Sequence, residues 1–310
     1  MSQWAERGTA VGLRGRAVGL RGRAIDAAGP TAGFIYGAAV AASFPRYTAP
    51  LWQVWMPFAI AATTAAGTLL TYGRHRWHDM NKLPAVHVRK RDVAWPVTAV
   101  LVVSLALMNI GAFYPAPSHL SARELVGSRL GSGLVGMFAI VAAIPAAAVM
   151  FGLRRVANSY DPGKRGELVD VLLTLRGMLQ RLLTATGSVV ALVTFSAGTW
   201  WLLVGSLGTQ YGSKPPQYVL IFGAYGSAVL GVVYGPAWTA LQRRGRRLCD
   251  DMFPLREKHE QAEILSEVTD RQKLEQALGL DRGIVADLQG GVVILAPLLA
   301  SAVTAFLPHS

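Results

Sequence analysis

Uncharged apolar stretches alternate along the chain with short segments that hold all of its charge. Seven such stretches lie at about 28–44, 51–73, 93–114, 130–153, 186–208, 218–241 and 290–307, and none contains Asp, Glu, Lys, Arg or His. A helix needs ~20 apolar residues to cross a hydrocarbon core of roughly 30 Å, and each stretch is near that length. Stretches 51–73 and 93–114 carry Trp or Tyr at both ends, as an interfacial aromatic belt requires. The second, fourth, sixth and seventh stretches hold Pro57, Pro145, Pro236 and Pro297, which a bundle tolerates because neighbouring helices can satisfy the freed carbonyls. The pattern predicts an all-α fold, a polytopic membrane helical bundle of about seven transmembrane helices. One soluble domain has no use for seven charge-free stretches of this length.

The cations between the stretches give an orientation. From the amino to the carboxyl end, the intervening segments hold 5, 1, 6, 2, 6, 1, 9 and 0 Lys or Arg, so 26 of the 30 fall on one side. By the positive-inside rule that side is the cytoplasm. The amino end is therefore expected in the cytoplasm, the carboxyl end outside, and the protein in a plasma (inner) membrane. Residues 1–27 then form a basic cytoplasmic tail, 28–241 a six-helix membrane region, 242–289 a cytoplasmic helical loop, and 290–310 the last span with an outside tail. An alternative remains at the amino end. A basic region, a modest apolar run and Ala39-Val40-Ala41 resemble a cleavable secretory signal, whose removal would leave six spans.

Composition agrees with the pattern. Of 310 residues, 52% are hydrophobic and 15% charged, against about 25% charged in a soluble chain. The single cysteine, Cys249, leaves no internal disulfide. Arginine outnumbers lysine 24 to 6 in a chain rich in Ala, Gly and Val, a coding bias that fits a bacterial source. The net charge of +12 calls for an anionic partner, and its placement decides which. The tail AVGLRGRAVGLRGRA, residues 10–24, repeats a seven-residue unit with Arg14, Arg16, Arg21 and Arg23. Its glycines make a poor helix, and only Trp4 could stack a base. It is expected to be disordered and to meet anionic headgroups of the bilayer rather than nucleic acid.

Two cytoplasmic segments carry helical pattern. Over 166–184, eight apolar residues from Leu168 to Leu183 gather within about 140° of a helical wheel, with Val169 and Leu173 outside the stripe. Such a helix lies flat among headgroups or stands as a packed continuation of the following span. The 242–289 loop opens with QRRGRR, whose Arg243, Arg244, Arg246 and Arg247 suit anionic headgroups. It continues as a solvated helical hairpin with a thin apolar line at Ile264, Val268, Leu274 and Leu278.

Candidate chemistry is sparse. Gly223, Ser227, Gly231 and Gly235 put a small residue at every fourth position of one stretch, a spacing that lets two backbones pack closely, within the chain or in a homo-oligomer. His75, His78 and Asp79 share a helical face with metal-ligand spacing, but Arg74 and Arg76 flank them and oppose a divalent ion, so a cationic collar is the better reading. Hydrolase-elbow, phosphate-loop and zinc-protease motifs are missing from the sequence, and no cofactor is indicated. No stretch holds an ionisable residue of the kind proton-coupled pumps and intramembrane enzymes use. The expected function is thus a non-catalytic scaffold, regulator or accessory subunit that docks a cytoplasmic protein partner through 154–185 and 242–289. A transporter or channel for a small solute, and a membrane-embedded enzyme with a cytoplasm-facing site, are the alternatives.

Overall fold

The computed structural model describes residues 27–43, 50–81, 90–110, 122–160, 165–206, 215–253, 261–280 and 299. The basic tail with Arg14, Arg16, Arg21 and Arg23, and nearly all of the 290–307 stretch, lie outside them. The described secondary structure is helical throughout: α1 (27–43), α2 (Pro50–Asn81), α3 (Lys90–Ile110), α4 (Ala122–Ser159), α5 (Arg165–Ser206), α6 (Pro215–Met252) and α7 (Gln261–Ala277). Pro50 and Pro215 open α2 and α6, where a fixed φ and a missing N–H do no harm.

Among the described residues four helices, not seven, are long and apolar enough to cross a membrane: Trp52–Asn81, Gly133–Ser159, Gly166–Trp200 and Leu220–Met252. Helices α1 and α3 are described over 27–43 and 90–110, with residues outside the description on either side, and nearly all of 290–307 lies outside it as well. The four long candidates run 27 to 35 residues, or about 40 to 53 Å, a surplus over a hydrocarbon core of roughly 30 Å. The surplus carries cations in every case: Arg74 and Arg76 on α2, Arg154 and Arg155 on α4, Arg176 and Arg181 on α5, and Arg243 to Arg247 on α6.

Packing shows that these surplus ends meet. Gly73 sits against Pro145 and Ala146, and Gly152 against Met80, so α2 and α4 run side by side in the same direction. The chain then reverses into α5. Buried side chains continue past the cations on all four helices: Met80 on α2, Val156 and Ala157 on α4, Leu168, Leu172 and Leu175 on α5, and Leu248 and Cys249 on α6. One hydrophobic cluster joins them to Ala142, Ala146 and Leu183. A second cluster closes the opposite end, where the Trp55 and Trp200 rings lie 4.5 Å apart beside Val40, Ala41, Val135 and Leu203.

The amphipathic stretch is packed against the bundle as a continuation of the following stretch. It is the first half of the 42-residue α5, and Leu168, Leu172, Leu175, Met178, Leu179, Leu182 and Leu183 are all buried while Leu173 is 39% exposed. Helix α1 runs unbroken through Ala39-Val40-Ala41 and buries Val40 and Ala41. Its tightest neighbour is α2, since a Cβ on Gly29 or Gly33 would overlap the backbone of Gly67 or Thr63.

Candidate functional site

The cation-rich ends of α5 and α6 form a cleft that α7 closes. Helix α7 runs antiparallel to α6, with Arg271 beside Asp250 and the turn Leu278-Gly279-Leu280 beside Gln242 and Gly245. The turn is a helix stop of the Schellman type. Gly279 adopts φ +60°, a left-handed conformation that favours glycine. Its N–H donates to the Gln276 carbonyl at 2.9 Å, and the Leu280 N–H to the Glu275 carbonyl at 2.7 Å. These bonds satisfy two carbonyls that the end of α7 would otherwise leave open.

Side chains of the bundle grip this turn. The Arg176 guanidinium of α5 donates to the Leu278 carbonyl and packs where a Cβ on residue 279 would stand. Gln242 of α6 donates its Nε2 to the Gly279 carbonyl over 3.4 Å. Leu278 and Leu280 are buried, and the Leu280 side chain covers Gly245 so closely that a Cβ there would meet it at 2.8 Å. The cleft has about 20 Å³ of interior space, lined chiefly by Leu172, Leu179, Tyr234, Trp238 and Leu241, with Arg176 the one charged residue among the described lining. That volume is on the scale of one water, so the site as folded is closed.

Ion pairs fasten α7 farther along. Arg271 donates to Glu275 and to Asp250, each at 2.8 Å, joining one turn of α7 to the end of α6. The Glu275 bond is the larger cause, with the bond to Asp250 adding to it, of a guanidinium held above its ordinary pKa. The outer face of α7, with Asp270, Gln272, Lys273 and Gln276, is exposed.

The other residues singled out by sequence do not converge on this site. Arg243, Arg246 and Arg247 are exposed on α6, whereas Arg244 is half-buried and donates to the Tyr160 carbonyl at 3.0 Å, linking α6 to the end of α4. Gly223 and Ser227 are buried, but a Cβ on Gly231 or Gly235 would meet nothing within 4 Å. The close approach predicted for that ridge is therefore not made at those two glycines by a described part of this chain. His75, His78 and Asp79 are exposed, Asp79 lies 3.5 Å from Arg76, and no group of three or more metal-ligating side chains forms among the described residues. The clasping turn was missed from sequence. Its signal was a glycine between two leucines at the end of a polar helix, a Gly stop with its flanking hydrophobic contact.

The fold and site together define a multi-pass helical membrane class, with the chain's cation-rich helix ends packed into one lobe. The chain matches no known protein family, no curated protein and no solved structure.

Proposed function

We propose that this protein is a non-catalytic membrane component, a scaffold, regulator or accessory subunit, whose cation-rich lobe faces the cytoplasm and docks a protein partner. The observation that carries the reading is the continuous core running from the bundle into the ends of α4, α5 and α6. Helices that served only to cross a bilayer would not bury leucines beyond it; a lobe built this way presents a fixed surface in water. Helix α7 supplies that surface with closely mixed charges, Asp270, Lys273 and Glu275, on a helix held by its end. Exposed Arg243, Arg246 and Arg247, together with the Arg14, Arg16, Arg21 and Arg23 tail, suit anionic headgroups at the same membrane face.

Affinity recovery of the full chain in mild detergent tests the docking reading. A stoichiometric partner is expected, and Lys273→Glu combined with Gln276→Arg on the outer face of α7 should release it while leaving the melting temperature unchanged. Recovery of the chain alone, or of a partner indifferent to the double substitution, contradicts it.

A further inference from the structure

We propose that α7 is a releasable clasp, closing the α5/α6 cleft in one state and lifting from it in another while the bundle stays folded. This device stands independently of any docking partner. Three observations support it. Over the described side chains of α7, 268–280, the attachment is confined: Leu278, Gly279 and Leu280 enter the cleft, Arg271 pairs with Asp250, and Thr269, Asp270, Gln272, Lys273, Gln276 and Ala277 remain exposed. The attachment is also imperfectly satisfied. Gln242 is 7% exposed and reaches Gly279 with a long bond, while its Oε1 is buried with no hydrogen-bond partner among the described residues. A buried acceptor without a donor raises the free energy of the closed state and recovers that loss on hydration. Finally, the outer fastening is electrostatic and partly solvated, with Arg271 and Asp250 side chains 25% and 61% exposed, so salt weakens it while leaving the buried bundle intact.

What lies beneath is ordered for closure. Leu172, Leu179, Trp238 and Leu241 line the cleft, an apolar groove that the two leucines of the turn complete. Lifting α7 would bare this groove without breaking a single bundle helix. Segments with few buried contacts are the ones that open below the global unfolding free energy, and the described side chains of α7 upstream of the turn, 268–277, have that character, none of them being fully buried.

The protein carries its own reporter. Cys249 is fully buried at the end of α6, within electrostatic reach of Asp250, Arg271 and Glu275. The rate at which a maleimide labels Cys249 in the purified full chain reads the opening. Arg176→Ala removes the grip on Leu278, and Gly279→Ala both displaces the guanidinium and strains the turn. Each should speed labelling about tenfold or more, and added salt should speed it in the unaltered chain. The reference is Ala142→Cys in a Cys249→Ser background, a thiol buried within the bundle, whose labelling should not change with either clasp substitution. Unchanged Cys249 rates overturn the proposal. So does equal acceleration of both thiols, which would mean that α7 opens only with the whole bundle.

Discussion

Glycine is the residue on which the packing turns, and two sets of glycines behave in opposite ways. Gly29, Gly33 and Gly37 on α1 stand against Gly67, Thr63 and Ile60 of α2 with no room for a Cβ. They weaken 28–44 as an apolar run, and the same three positions make a close helix pair, a small-residue spacing that operates where lipid supplies little drive between helices. At Gly231 and Gly235 the more regular ridge, Gly223 to Gly235, meets no described residue of the chain within 4 Å of an added Cβ. Spacing alone does not say which face a ridge presents. Gly33→Leu is expected to lower stability by about 2–3 kcal/mol through overpacking, read as a lower melting temperature in detergent. Gly231→Leu should stay within about 0.5 kcal/mol. If Gly231→Leu instead reduces the native mass to a smaller species, the ridge is a homo-oligomer face; if both variants melt alike, the α1–α2 packing is misassigned.

At the scale of the element, α5 shows what sequence could and could not deliver. Its period of apolar residues identified every buried position from Leu168 to Leu183, because a helix that buries one face must repeat that face every 3.6 residues. Which surface covers the face is a tertiary fact. A membrane and a neighbouring helix make the same demand of an apolar stripe, and only the structure shows α4 and α6 there. The opposite limit is α7, whose thin stripe gave little to read, since it is fixed by its capping turn and not by a broad face. In α5, Leu175→Ala should cost about 2–5 kcal/mol, as for a fully buried leucine, while Leu173→Ala, at a 39% exposed site, should fall within about 0.5 kcal/mol. Denaturation of the two variants in the same detergent distinguishes a packed continuation from a helix resting on headgroups, where both leucines would matter little.

For the molecule as a whole, charge-free length was legible and the number of crossings was not. A composition scan marks charge-free length but not where a helix ends, and among the described residues α2, α4, α5 and α6 hold the four long candidates, each extending past its charge-free stretch. The cation alternation survives as the ground for proposing orientation. Because Cys249 is buried, it is protected from reagents on either side, so introduced cysteines must report. In a Cys249→Ser background, an impermeant thiol reagent should label Ser213→Cys in whole cells, and Lys273→Cys only after the membrane is opened. Labelling of Lys273→Cys from outside reverses the orientation.

The claim on which the rest depends is that the surplus ends of the long helices stand clear of the bilayer as one packed lobe. Helix α5 offers four exposed positions on a single face, Glu167, Thr174, Arg181 and Ser188, each about 10 Å farther along the axis than the last. Nitroxide labels placed there one at a time, in Cys249→Ser protein held in lipid nanodiscs, can be read for collision with a water-soluble relaxer and with oxygen dissolved in lipid. A standing lobe predicts water access at residues 167 and 174, a crossover near residue 181, and oxygen access at residue 188. A uniform profile at headgroup depth from 167 to 181 would place the helix flat on the membrane and contradict the lobe.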